Sequence, residues 1–185
     1  MSVNKFMKYF KYLELDWKPF AEKLGHYITQ IRPEMSRVDP YDPVLRIDKE
    51  DLLKYASAEL DNMTTGLDFQ IENLAIFSTC REIGQIHTDE NVVPCRINIP
   101  LFNCENSETR FYKCSGIPMP GVQPNGMRFE KIDETMCVQV DQFYLTRPVL
   151  FRVGVPHNII RFNNPSTVRI SCTMEPNKDL SYLLD

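Results

Sequence analysis

Arg96-Ile97-Asn98-Ile99-Pro100-Leu101 alternates polar and apolar side chains with a period of two, the pattern of a strand that turns one face to a packed layer. On either side of it, Leu74-Ala-Ile-Phe-Ser-Thr79, Arg110-Phe-Tyr112, Met127-Arg-Phe-Glu130, Met136-Cys-Val-Gln-Val140, Pro148-Val-Leu-Phe-Arg-Val153 and Val168-Arg-Ile-Ser-Cys172 are equally short and rich in β-branched and aromatic residues. Turn residues separate them, at Asn103 to Ser107, Asn125-Gly126 and Asn163-Asn164-Pro165. Seven or eight short strands at this spacing predict a sandwich or barrel of the jelly-roll kind, mainly β. The first third has a different period. Apolar residues at Trp17, Phe20, Leu24, Tyr27 and Ile28 follow helical spacing, with Asp16 as the expected N-cap and Pro19 in the first turn. A second helix is expected from Lys49 to about Asp61, capped by Asp48 and burying Leu52, Leu53, Tyr55 and Ala56. Between them, Arg32 to Pro43 reads as a Pro- and Asp-rich loop. The expected organisation is one domain over 1–185, with helical support in 1–68 and the β core in 69–175.

The chain has 185 residues, 43% hydrophobic and 25% charged, with a formal net charge of −4. That suffices for one core of ordinary size. The acidic balance argues against a broad basic surface for nucleic acid or anionic membrane, although it allows a local basic pocket. Lys5, Lys8 and Lys11 interrupt the apolar residues near the N-terminus, so no signal-peptide h-region is expected, and no stretch approaches a membrane span. The six cysteines include no C-x-x-C pair and read as reduced thiols of a cytosolic, cytoplasmic protein.

Only three histidines are present, His26, His87 and His157. His87-Thr-Asp89 sets an imidazole and a carboxylate two residues apart, on one side of an extended segment, where both can hold one ion. His157 follows the run Val149 to Pro156 and can supply the second imidazole. A set of two histidines and one carboxylate occupies one face of an octahedral ion and leaves the other open. On the strand after it, Arg169 and Ser171 share a face opposite Val168, Ile170 and Cys172. With Ile170 and Cys172 packed, Arg169 faces the barrel interior, where a guanidinium needs an anion. Arg96 and Asn98 repeat that logic against Ile97, Ile99 and Leu101. Two arginines and a metal make a site for a small dianion.

These residues resemble the H-x-D…H…R-x-S pattern of Fe(II)/2-oxoglutarate-dependent dioxygenases. The stretch His87 to Asn98 is similar to the aspartyl/asparaginyl β-hydroxylase and bacterial proline hydroxylase branch. The resemblance covers about Ser78 to Met174 and implies a double-stranded β-helix, the cupin-like jelly roll. It implies Fe(II) on His87, Asp89 and His157, the distal carboxylate of 2-oxoglutarate on Arg169 with Ser171, and its other end near Arg96, with Asn98 and Ser78 as further contacts. The implied reaction is hydroxylation of an amino acid or peptide side chain by O2, coupled to decarboxylation of 2-oxoglutarate to succinate. Asp89 departs from the animal aspartyl/asparaginyl hydroxylases, which lack a carboxylate ligand, and favours the proline-hydroxylase-like side.

Other readings stand beside this one. A non-catalytic, cupin-like jelly-roll binding module fits the same strands, and a nucleic-acid dealkylase is disfavoured by the missing basic, aromatic-interleaved patch. His26 reads as a packing or surface residue. Arg147, Arg152 and Arg161 read as a solvated face, Phe143, Tyr144 and Phe151 as core. The Pro/Gly-rich segment 115–126 is a loop, serving as a substrate lid or a tolerated insertion. The primary substrate and the oligomeric state are open at this level.

Overall fold

The computed structural model describes residues 8–31, 33, 44–45, 49–79, 84–89, 93–122, 128–162 and 168–185. The expected cap Asp48, the loop 34–43, Cys80, Met127 and the turns at Asn125-Gly126 and Asn163 to Pro165 lie outside them. Among the described residues, twelve strands form two antiparallel sheets of six. The major sheet runs in the order β1 (Phe10–Tyr12), β10 (Val149–Arg152), β5 (Cys95–Phe102), β12 (Arg169–Pro176), β3 (Ile71–Thr79) and β2 (Val44–Leu45). The minor sheet runs β7 (Met119–Val122), β8 (Arg128–Lys131), β4 (His87–Asp89), β11 (His157–Arg161), β6 (Ser107–Cys114) and β9 (Cys137–Tyr144). The chain switches sheet at each step from β3 to β6 and again from β10 to β12, which winds it as a jelly roll.

Alternation along each strand decides which core a side chain joins. On β10, Val149 and Phe151 meet Phe111 and Phe143 of the minor sheet in the core between the sheets, with Leu145, Val153 and Cys104. Leu150 points the other way, with Ile97 and Ile99 of β5 and Ile170, Cys172 and Met174 of β12. That outer face is covered by α1 (Lys18–His26) and α2 (Lys49–Thr64) through Phe20, Leu24, Ala56, Leu60 and Met63. Strand β5 is buried from Cys95 to Pro100 because helices cover one face and the barrel interior the other.

Several expectations need correction. The N-terminal third is not wholly helical, because Phe10–Tyr12 adds an edge strand to the major sheet against β10. Helix α1 begins at Lys18 with Trp17 as N-cap and no side-chain cap, so Asp16 does not serve. It runs on into a π-helical turn, Tyr27–Ile31, that buries Tyr27 and Ile28. In α2, Ala56 is buried but Tyr55 is exposed, its ring 5.1 Å from that of Tyr27. Within the segment read as a loop, Met119–Val122 is a strand paired with β8. Phe143 and Phe151 are core, whereas Tyr144 is exposed.

The cysteines also differ from expectation. Cys95, Cys104 and Cys172 are buried free thiols, but Cys114 and Cys137 form a disulfide. They stand directly opposite each other on β6 and β9. A partner 23 residues away in sequence becomes a neighbour only through strand register, which no local cysteine spacing reveals. Closing a loop of that length is worth about 3 kcal/mol. The double variant C114S/C137S should therefore lose up to about that much in denaturant unfolding, and the wild type should lose a similar amount on reduction. Equal midpoints for all three would contradict a formed bridge.

Candidate metal centre

Strands β4 and β11 pair at one position, His157 opposite His87. Directly opposed residues point to the same side of a sheet, so both imidazoles enter the barrel and their ring centroids lie 4.6 Å apart. Two features place the short strand β4. Gly84 approaches β11 so closely that a Cβ there would sit 3.0 Å from the Ile159 carbonyl oxygen, and its amide donates to that oxygen at 2.8 Å. Farther along, the Asp89 amide donates to the Val153 carbonyl at 3.0 Å. Asp89 then follows His87 by one period of the strand and turns inward with it. One ligand atom from each of His87, Asp89 and His157 lies within 4.8 Å of the others.

The hydrogen bonds of the rings suit this set to a cation. His87 Nδ1 lies 2.7 Å from the Gln85 carbonyl and His157 Nδ1 2.9 Å from the Val155 carbonyl. A carbonyl only accepts, so each Nδ1 carries a proton and each Nε2 is the nitrogen turned toward the other groups of the site. Burial, then the nearby His87, pushes His157 down to about 4, so this ring is neutral near pH 7. Burial works against charge on His87 too, but the hydrogen bond and charge of Asp89 raise it above the ordinary value. Burial likewise opposes ionisation of Asp89, yet His87, His157 and Arg96 outweigh it and hold the carboxyl well below the usual range. One oxygen, Oδ1, lies 3.4 Å from His87 Nε2; the other, Oδ2, accepts from Arg96 Nη1 at 3.0 Å. Arg96 thus fixes the carboxylate with a single oxygen toward the imidazoles. His157 is clamped by the rings of Phe111 and Phe151, at 6.3 and 5.9 Å.

Arg169 occupies the same interior, deeper along the wall. It is 1% exposed, and Nε donates to Ser107 Oγ at 2.9 Å while Nη1 donates to Ser171 Oγ at 3.2 Å. Ser107 stands four residues from Phe111, the register partner of His157, or roughly 13 Å along β6 at the backbone. No carboxylate among the described residues pairs with this guanidinium. Two neutral hydroxyls orient it but leave its charge uncompensated, an arrangement that a bound carboxylate would complete.

Arg96 faces inward, but its guanidinium bridges Asp89 and Glu175. Asn98 faces inward and accepts from the Thr173 hydroxyl at 2.6 Å. Ser78 lies across from Ile170 on β12, and Ile170 packs in the helix-side core. Ser78 therefore points away from the barrel interior and, contrary to expectation, does not face the site. Arg161 is buried rather than part of a solvated face, and Arg152 pairs with Asp185. The sequence places Ser107 in a turn because only residues 110–112 read as strand; the structure starts β6 at Ser107, and the inward series Ser107, Thr109 and Phe111 is the signal for it. A groove along α1, lined by Trp17, Ala21, Gly25, Phe102 and Thr146, includes neither the three ligands nor Arg169.

No protein-family model and no curated protein sequence matches the chain. Solved structures do. HygX from Streptomyces hygroscopicus, with nickel and 2-oxoglutarate bound, is similar over 94% of this chain and 84% of its own, at 7% identity and a TM-score of 0.53. SnoK, a non-haem α-ketoglutarate-dependent carbocyclase from nogalamycin biosynthesis, matches 92% of this chain and 79% of its own at 10% identity and a TM-score of 0.49. The apo form of EctD from S. alaskensis matches 93% and 74% at 9% identity and a TM-score of 0.46. At such identities the likeness to HygX establishes the fold, a cupin-type jelly roll, and nothing finer.

If these three residues hold an ion, H157A should weaken Ni(II) binding by about 100-fold or more, since losing even an outer partner of a ligand costs about 10- to 100-fold. H26A, altering an exposed helix residue, should leave it unchanged. Calorimetric titration of both variants reads the difference.

Proposed function

We propose that this chain is a non-haem Fe(II)- and 2-oxoglutarate-dependent oxygenase acting on a small molecule or a side chain, with hydroxylation of an amino acid or peptide as its reaction. The observation that carries the reading is the pairing of two features in one barrel: three converging ligand atoms, and a buried guanidinium with no acidic partner among the described residues. A cation site alone fits many jelly rolls. A cation site with a deep arginine fits a ligand that is anionic at its far end and chelating at its near end, which describes a 2-oxo dicarboxylic acid. HygX, which shares the fold, holds nickel and 2-oxoglutarate.

In this reading His87, Asp89 and His157 hold Fe(II), and Arg169 with Ser107 and Ser171 receives the distal carboxylate of 2-oxoglutarate. Bound iron supplies activation of O2 and oxidative decarboxylation of the cosubstrate. The chain's own contribution is geometric and electrostatic. The Gln85 and Val155 carbonyls hold the imidazole tautomers. Arg96 keeps Asp89 on one oxygen and neutralises charge beside the cosubstrate. Phe111, Phe151 and Val153 keep water from the inner side of the site. Asn98, hydrogen-bonded to Thr173, lines the wall beside Arg96. No general base is assigned, because the reaction requires none.

Anaerobic addition of Fe(II) and 2-oxoglutarate should give a weak visible charge-transfer band that is absent in H87A. R169A should retain the metal and lose 2-oxoglutarate affinity by more than about tenfold, as removal of a charge-assisted bidentate contact requires. Native protein that binds metal but neither 2-oxoglutarate nor forms succinate would be a binding module instead.

A further inference from the structure

The face that carries the metal ligands extends beyond β4 onto β8 and β7. Asp89 lies opposite Phe129 and His87 opposite Lys131, so both β8 side chains share the ligands' side of the sheet. Glu130, between them, points to the other side and accepts from Thr88 Oγ1 at 3.1 Å. The Phe129 ring meets His87 edge-on at 5.8 Å, and Lys131 Nζ lies 5.7 Å from the centre of the Phe129 ring. On β7, Gly121 is opposite Phe129 and Met119 opposite Lys131. A Cβ on Gly121 would fall 2.8 Å from Phe129 Cζ and 2.9 Å from Lys131 Cε, so glycine leaves the space into which the ring and the lysine stem settle. Met119 continues the surface and is 56% exposed.

An ammonium therefore stands on the ligand-bearing face, next in register to His87. No carboxylate among the described residues pairs with Lys131. The nearest acid in register, Asp89, is engaged by Arg96. Half-exposed Phe129 and exposed Met119 give an apolar bed beside the charge.

We infer that Phe129 and Lys131 form the recognition site for the primary substrate, which carries an anionic oxygen group, a carboxylate or a phosphate, on an apolar body. This rests on the oxygenase reading for the meaning of "substrate", while the binding claim concerns these side chains alone. Lys131 takes the anionic group as a point charge and Phe129 and Met119 take the body, on the face of the sheet that also carries His87 and Asp89.

The test uses the full chain with Ni(II) and saturating 2-oxoglutarate, which fills the Arg169 end, under anaerobic conditions. Ligand-observed NMR titrations compare three probes with one body: 3-phenylpropanoate, 2-phenylethyl phosphate and 3-phenylpropanamide. At least one anion should bind about tenfold tighter than the amide, and which anion does so identifies the source of the group. K131M should abolish the preference and K131R should retain it, with Ni(II) and 2-oxoglutarate affinities changed less than twofold in both. Equal binding of all three probes, binding of none, or a preference that survives K131M would overturn the inference. Should the wild type fail to take Ni(II) or 2-oxoglutarate, the oxygenase reading fails, and the same probes on metal-free protein decide the role of Lys131 separately.

Discussion

The single backbone register His157 opposite His87 is the constraint on which the rest of the site depends. It puts two imidazoles on one face at contact distance, and the period of the strand brings Asp89 to the same place. A slip of one residue would send each side chain to the outside of the minor sheet. The Gly84 and Asp89 amides tie the two ends of the β4 segment to Ile159 and Val153, so the register is held by main-chain contacts independent of the side chains it positions. The ring nitrogens that point away from the site are anchored on carbonyls only two residues upstream of each histidine. The same local geometry therefore sets strand position and ligand tautomer.

Burial of Arg169 is the second cost carried by the fold. A guanidinium inside a jelly roll is unfavourable unless it is solvated or paired, and here Ser107 and Ser171 supply only neutral acceptors. Arg96, by contrast, is paired twice, with Asp89 and Glu175. The two inward arginines thus divide the work. One is held between two carboxylates of the protein, and the other has only hydroxyl partners among the described residues. The helices α1 and α2 cover the outer face of the major sheet, so that β5 and β12 can be buried on both sides and keep their inward residues in place.

Much of this was legible in the sequence, for identifiable reasons. Period-two alternation in Arg96 to Leu101 and Val168 to Cys172 marks which residues face inward, and β5 and β12 follow it. The H-x-D triplet works at any strand position, so His87 and Asp89 could be read without knowing the sheet. Ser78 is not legible in this way, because the faces of β3 are set by its partner β12, through Ile170, and not by its own mixed composition. Phe10–Tyr12 and Met119–Val122 are short edge strands in polar or Pro/Gly-rich surroundings, where tertiary pairing overrides local preference. Cys114 and Cys137 are joined by register alone, and Ser107 meets Arg169 only across the barrel, 62 residues away in sequence. Contacts between strands distant in sequence are what one sequence does not state.

We propose that one barrel interior holds a cation at His87, Asp89 and His157 and a 2-oxo dicarboxylate against Arg169. The most direct measurement is a crystal structure of the protein with Ni(II) and 2-oxoglutarate, with anomalous data at the nickel edge. A single anomalous peak bonded to Nε2 of both histidines and Oδ1 of Asp89 is expected, with the distal carboxylate of the ligand on the Arg169 guanidinium. Nickel bound elsewhere, or the dicarboxylate away from Arg169 in a fully loaded crystal, would contradict it.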